Sequence, residues 1–525
     1  MTNLMGGAAN QALEFESTFS LLRTYSNRHP DKPAIIDLDQ DKSITFGELF
    51  DETNRIAHFL QQHGIRKGDK VAVLSDENLE KLIIWMGIWR YGAVVCPLNV
   101  EMNEAHLSEI LQNIGPKLTL RHDGLENMSL TEGIPGEVMI FSGWRTGNMI
   151  PGEFFTALAD FPSNSNIEQS NAADDMAAIF CTSGTTSKPK SVVYNHLSYW
   201  LSGLSTLSML GLTADDKTLE YRSFGWNSAQ ILSLMPWLQT GLTLHIAARF
   251  SHSRFFDWIQ THGITFAAGV PTVVNMLLND PLGVSAKDVP SLRLMTCSTA
   301  PLSPEQWRKF EDMYGVTLLQ LYGMSEAGWI CGNRHDRRKM GTVGPPAKHQ
   351  EFVIVDSEGN PCPAGIEGEV TVGGPQACMG TISSDGHYED LSNARMRTGD
   401  LAIMDDEGFV RVTGRTKDLI IRGGVNIAPL EIDNIVMEIA AVSEAATIGV
   451  PDPVYGEAIV CYVVVKSGET LGEDEIRRYC ARALPDFKLP KEIIFVEDIP
   501  KSDRGKIIRD ELKSIWLKIN VLSKN

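Results

Sequence analysis

The sequence predicts an α/β fold, with a large multi-layer N-terminal α/β domain and a smaller α+β C-terminal domain. Three observations carry that expectation. Apolar strands and helices alternate through the first half of the chain, the pattern of buried, largely parallel sheets. After about residue 415 the texture changes to short helices among strands over roughly a hundred residues, an ordinary domain size. The 525 residues also exceed what one compact core holds.

The elements follow in order. Thr45 and Glu48 have capping-box spacing, Leu49, Ile56 and Leu60 share one helical face, and Gly64 closes the helix. Residues 70–74 (KVAVL) read as a short strand, and 82–87 (LIIWMG) begin another apolar helix. The alternation continues through 242–246, 255–262, 265–268 and 273–278. Residues 161–175 (FPSNSNIEQSNAADD) are polar and rich in Ser and Asn, and are expected to form a surface connection. Residues 176–180 (MAAIF) read as a strand. Beyond 415, helices are expected at 473–484 and 510–518, and strands at 459–465 and 492–496.

Lys and Arg number 47 against 66 Asp and Glu, a net charge of −19. Such a surface repels phosphate backbones and anionic lipid, which argues against nucleic acid and membrane surfaces as partners. An anionic ligand must therefore be drawn in by a local positive site. The eight cysteines are scattered without C-x-x-C spacing and read as buried small hydrophobes in a reducing compartment. The N-terminus lacks a basic start followed by an apolar stretch, so no signal peptide is expected. The apolar run 82–89 is too short to span a bilayer. The expectation is a cytoplasmic, multidomain protein.

The strand at 176–180 runs into residues 181–190 (CTSGTTSKPK), which hold five hydroxyl residues, one glycine and two lysines. Hydroxyls and free backbone N–H groups donate hydrogen bonds, Gly184 allows close backbone approach, and the lysines supply charge. Such a loop suits nucleotide phosphates, although its spacing is not that of a P-loop. A disordered Ser/Thr linker is the plainer alternative.

The segment resembles the signature loop T-S-G-T-T-G-x-P-K-G of the adenylate-forming superfamily, which includes acyl-CoA synthetases, firefly luciferase and peptide-synthetase adenylation domains. Thr182, Ser183, Gly184, Thr185, Thr186, Pro189 and Lys190 match, while Ser187 and Ser191 stand where glycine is usual. Further motifs arrive in family order: 321–327 (LYGMSEA), 397–400 (RTGD), 414–431 (GRTKDLIIRGGVNIAPLE), 449–452 (GVPD) with Gly456 and Glu457, and 500–506 (PKSDRGK). The resemblance covers roughly residues 15 to 515 and is closest to an AMP-forming acid–CoA ligase. It implies a domain at 1–414, a hinge at 415–417 centred on Lys417, and a mobile domain at 418–525.

The resemblance also implies ATP, Mg²⁺ and coenzyme A as the small molecules bound. A carboxylate attacks the α-phosphate of ATP to give an acyl-adenylate and pyrophosphate, and the coenzyme A thiol then expels AMP. Catalysis is therefore positional and electrostatic. By resemblance, Lys506 approaches the carboxylate and α-phosphate, Glu326 holds Mg²⁺, and Ser325 bonds the α-phosphate. Thr182, Ser183, Gly184, Thr185, Thr186 and Lys190 hold phosphates. Ala300, Pro301, Tyr322 and Gly323 bind the nucleotide, with Tyr322 stacked on the adenine, Asp400 accepts the ribose hydroxyls, and Arg415 reaches the ribose or phosphates. Gly423 and Gly424 make room for the pantetheine arm. Taken singly, Tyr322 also fits a core tyrosine, Asp400 a turn aspartate and the glycine pair an ordinary turn. His196 fits the family pattern and reads as structural.

By the same resemblance, the acyl pocket is expected near 221–230 (YRSFGWNSAQ), 297–302 (CSTAPL) and 323–329. Many acyl-CoA synthetases carry F-H in the first of these, where this chain has Phe224 and Gly225. Trp226 and Trp329 narrow the pocket, with Gly323 at its edge, which favours a small acid. Asn227, Ser228 and Gln230 are placed to bond a polar substituent, so a hydroxylated or branched acid is expected. The rival readings are an enzyme loading a carrier protein's pantetheine and a non-catalytic nucleotide-binding protein. The second predicts loss of Lys506, Glu326 and Asp400, all of which are present.

Overall fold

A computed structural model describes residues 15–125, 133–145, 152–164, 167, 170–182, 190–300, 302–502 and 506–522. Local chemistry sets the first elements. Thr45 caps the helix Phe46–Gln62 in a complete capping box with Glu48, and Leu49, Ile56 and Leu60 lie on its buried face. The strand Lys70–Leu74 then leads to the helix Leu79–Tyr91, whose residues are all buried. A helix buried on every side, Glu80, Lys81 and Arg90 included, has to be covered on every side.

The cover is a pair of eight-stranded sheets, counted among the described residues. One runs from Gly328–Gly332 through Thr317–Met324, Leu294–Cys297, Phe266–Ala267, Lys217–Glu220, Thr243–Ile246 and Pro33–Asp37 to Lys42–Thr45. Its inner pairings are parallel and its outermost pairings antiparallel. The other is parallel from Met176–Thr182 through Val94–Leu98, Lys70–Leu74 and Leu118–His122 to Glu137–Phe141, with antiparallel strands beyond. The main core joins Trp85 and Trp89 to Ile35 and Leu244 of the first sheet and to Val71 and Val95 of the second.

An antiparallel four-stranded sheet completes the large domain, ending in Met396–Met404 and Val410–Arg415. A 3₁₀ turn at Thr416–Asp418 leads into the five-stranded sheet of the small domain, built on the long pair Val442–Asp452 and Gly456–Val465. The helices Glu473–Ala483 and Arg509–Leu522 belong to this domain. The expected elements therefore occur, with ends shifted by a few residues.

The connection at 161–175 is not wholly a surface feature. Asn171 is buried, accepts from Thr18 N–H at 3.0 Å and bonds His196 Nδ1 at 3.0 Å. Seven cysteines are buried, Cys362 is half-buried, and all eight are free thiols.

His196 lies in the core beside Trp89, their ring centroids 5.1 Å apart, which agrees with a structural role. Burial pushes the imidazoles of His196 and His245 down to about 3. The unfolded chain takes up these protons below about 6.5, and the native state does not until about 3. Stability is therefore lost as pH falls through that window, by about 1.4 kcal/mol per pH unit for each histidine. His196→Gln is expected to lose less stability than wild type between about pH 6.5 and about pH 5, read as the urea midpoint.

Candidate active site

The described candidate residues come from strand ends of both large sheets, from the four-stranded sheet and from the small domain. Asp400, 5% exposed, sits opposite Arg415 in an antiparallel pairing, so strand register brings the two together. Asp400 Oδ1 lies 2.8 Å from Arg415 Nε, and its Oδ2 accepts from the Tyr322 hydroxyl at 2.6 Å. Burial and the Asp400 charge push the Tyr322 phenol well above its ordinary value, so it stays a donor. Each carboxylate oxygen keeps a further lone pair, leaving capacity for two hydroxyls.

Glu326 occupies the turn between Thr317–Met324 and Gly328–Gly332. Burial raises its carboxyl, while the charges of Lys190 and Lys506 pull it the other way. Lys190 begins the strand Lys190–Asn195 and is exposed. Lys506 comes from the small domain, in a loop closed by Ser502 N–H donating to Lys506 O at 2.8 Å and Lys506 N–H donating to Ser502 Oγ at 3.3 Å. The small domain thus contributes a cation whose charge acts on a carboxylate of the large one.

The expected acyl-pocket residues divide. Asn227 Nδ2 donates to Ser325 O at 3.0 Å and to Tyr194 Oη at 3.1 Å, while Tyr194 itself donates to Ser325 O at 3.0 Å. Asn227 Oδ1 is left buried without a hydrogen-bond partner among the described residues. Trp329 is buried and donates to Thr206 Oγ1 at 2.8 Å, and half-buried Trp226 leads into the helix Asn227–Ala229. Gly323 is exposed beside them. Gln230 is a correction: it is fully buried, accepts from Tyr199 Oη and donates to Phe224 O at 2.7 Å, so its amide serves the core. At Gly225 a Cβ would lie 3.0 Å from Asn99 Cβ and 3.1 Å from Asn99 N, which crowds out the histidine common in relatives.

Other candidates lie apart or outside the description. Thr182 ends the strand Met176–Thr182, whereas Ser183, Gly184, Thr185, Thr186 and Pro301 lie outside the described residues, as does the Thr182 side chain. Lys417 lies in the 3₁₀ turn between the domains. Gly423 and Gly424, with φ of +60° and +83°, turn the hairpin of Ile420–Arg422 and Val425–Ile427, a conformation glycine takes without a Cβ penalty. Gly423 N–H donates to Tyr455 O at 2.7 Å, a bond within the small domain.

Two residues at the site carry no local sequence signal. Tyr194 ties Ser325 to Asn227, yet its strand motif pointed only to His196. Thr299, just before half-buried Ala300, is exposed with φ of +77°, unfavourable for a β-branched side chain. Thr299→Gly is expected to raise stability by about 1 kcal/mol, measured as a higher urea midpoint.

Residues 22–381 match the family model of the AMP-binding enzyme, and residues 431–506 that of the AMP-binding enzyme C-terminal domain. The sulfoacetate–CoA ligase of Cupriavidus necator is 29% identical over 507 residues, 95% of this chain and 97% of that protein. The crotonobetaine/carnitine–CoA ligase of Escherichia coli is 30% identical over 497 residues, 89% of this chain and 92% of that protein. ATP-bound MatB from Rhodopseudomonas palustris superposes with a TM-score of 0.84 at 26% identity, covering 96% of this chain and 100% of that one. These similarities span both domains.

Proposed function

The chain belongs to the AMP-binding enzyme family, and from that premise we propose an AMP-forming acid–CoA ligase acting on a small, compact carboxylic acid. ATP, the acid and coenzyme A are its substrates. The observation that carries this reading is the match to both family models, with Asp400 held by Tyr322 at 2.6 Å and Arg415 at 2.8 Å and acceptor capacity left for two hydroxyls.

In the first half-reaction the acid oxygen attacks the α-phosphate and pyrophosphate leaves. Both reactants are anions, so the barrier falls as fixed positive charge is brought to them. Lys506 offsets the charge between carboxylate and phosphate, Ser325 bonds the phosphate, and Lys190 with Thr182, Ser183, Gly184, Thr185 and Thr186 holds the phosphate chain. Ala300, Pro301, Tyr322 and Gly323 surround the adenine. Asp400, steadied by Tyr322 and Arg415, accepts the ribose hydroxyls. The half-buried Glu326 carboxylate offers the oxygen that a hard ion prefers, with its remaining ligands from phosphate and water. Glu326 would therefore hold Mg²⁺, which supplies positive charge to the triphosphate when bound.

In the second half-reaction the thiol sulfur bonds to the acyl carbon and AMP leaves. We read residues 1–414 and 418–525 as bodies that turn about Lys417, exchanging Lys506 for the hairpin of Gly423 and Gly424, beside which the pantetheine arm would pass. Trp226 and Trp329 limit the length of the acid, and Asn227 offers one buried acceptor. Similarity to ligases named for sulfoacetate and for crotonobetaine or carnitine supports a short acid with a polar end. Among the described residues no helix is long and apolar enough to cross a membrane. We read the enzyme as cytoplasmic, where ATP and coenzyme A are supplied and free cysteines stay reduced.

The test is pyrophosphate release with ATP and Mg²⁺ over short, branched, hydroxylated, sulfonated, aromatic and long-chain acids, each with and without coenzyme A. Release for a compact acid, accelerated by coenzyme A, is expected. Preference for a long-chain acid would overturn the pocket reading, and acceleration by a carrier protein alone would overturn coenzyme A as acceptor.

A further inference from the structure

Beside the segment assigned to the acid lies a buried ion pair that the steps above do not use. Lys81 Nζ stands 2.7 Å from Glu77 Oε1, the side chains being 0% and 6% exposed, and donates also to Ser75 O at 3.2 Å. Helix stability does not account for the pair. Asn78 already caps the helix Leu79–Tyr91 by accepting from Lys81 N–H, and a lysine in the first turn sits at the end where the helix dipole disfavours a cation. Packing does not account for it either, since apolar side chains of similar volume fill such space without desolvating two charges.

The pair's remaining hydrogen bond leads to the other large sheet. Ser223 Oγ donates to Glu77 Oε1 at 2.6 Å, joining residues 146 apart in sequence, and the same oxygen accepts from Gly225 N–H at 3.0 Å. Glu77 follows the carboxyl end of Lys70–Leu74, and Ser223 follows that of Lys217–Glu220, so the bond crosses the crevice between the sheets. Trp226 N–H donates to Ser223 O at 3.0 Å and closes a turn directly before the helix that carries Asn227. Gly225 rests on Asn99, leaving the turn little room to shift.

We propose that the Glu77–Lys81 pair is a positioning device for the acid: through Ser223 it holds the turn 223–226 in the geometry that presents Trp226 and Asn227 to the substrate. This rests on reading that segment as part of the acid pocket. Glu77 supplies a strong acceptor for Ser223, and Lys81 cancels its charge so that a nearby carboxylate substrate is not repelled. Both are positioning residues, since neither touches the acid.

Two variants test this without burying a lone charge. Ser223→Ala cuts the relay and leaves the pair intact, and Glu77→Met combined with Lys81→Met replaces the pair with apolar chains. Each is compared with wild type by amide exchange of peptides covering 221–230. Each is also compared by KM for ATP and for the acid that wild type turns over fastest in the panel above. Faster exchange at 223–227 is expected, with the acid KM raised about tenfold and the ATP KM changed by less than about twofold. An unchanged acid KM, or equal rises in both KM values, would overturn the proposal. The exchange measurement needs no acid: wild type silent on every acid counts against the ligase reading, and unchanged exchange in both variants counts against the positioning device.

Discussion

Lys506→Ala is expected to slow acyl-adenylate formation by about 10²–10³-fold, the usual cost of removing one preorganised donor from developing charge. Thioester formation from supplied acyl-adenylate and coenzyme A is expected to stay within a few-fold of wild type. The split follows from where the charge sits. The charge of Lys506 acts on Glu326, whereas its loop is held by hydrogen bonds with Ser502 that the substitution spares. The following segment is anchored separately, with Arg509 paired to Asp433 and donating to Thr447 O at 3.1 Å. ATP–pyrophosphate exchange reads the first half-reaction, and release of AMP from the supplied adenylate reads the second. Equal loss in both halves would show that Lys506 supports the fold of its domain and not the first chemical step.

For Asp400→Ala the ATP KM is expected to rise about 100-fold, since hydrogen bonds to a charged acceptor are worth about 1.5–3 kcal/mol each. The carboxylate would meet the ribose already oriented, clamped by Tyr322 at 2.6 Å and Arg415 at 2.8 Å. Tyr322→Phe removes one clamp and keeps the ring, so a rise of about tenfold or less is expected. Steady-state kinetics with varied ATP compare the two. A Tyr322→Phe variant as impaired as Asp400→Ala would move the dominant role from the carboxylate to the phenol.

Much of the candidate site was legible because the residues proposed for it stand in short contiguous stretches. Tyr322, Ser325 and Glu326 share one strand end and turn, and the terminal motif set Lys506 apart from Lys501 and Arg509. The capping box of Thr45 and Glu48 was equally local. Residues whose role depends on a distant partner were not legible. Gln230 looked like a pocket residue until Tyr199 and the Phe224 carbonyl took its amide. Asn171 lay in a segment polar enough to suggest the surface, yet it is buried against His196. Tyr194, Glu77 and Lys81 carried no signal.

By itself the sequence determined the family, the two-domain α/β architecture, the reaction class and most of the candidate catalytic set. Capping, apolar periodicity and motif spacing act over a few residues, so each can be read where it stands. Tertiary structure alone decided which polar side chains the core consumes and which face the crevice, the clamp on Asp400, and the Glu77–Ser223 bond across 146 residues. The physical reason is that a buried polar group must find its partner wherever the fold brings one, and that partner leaves no mark in the neighbouring sequence.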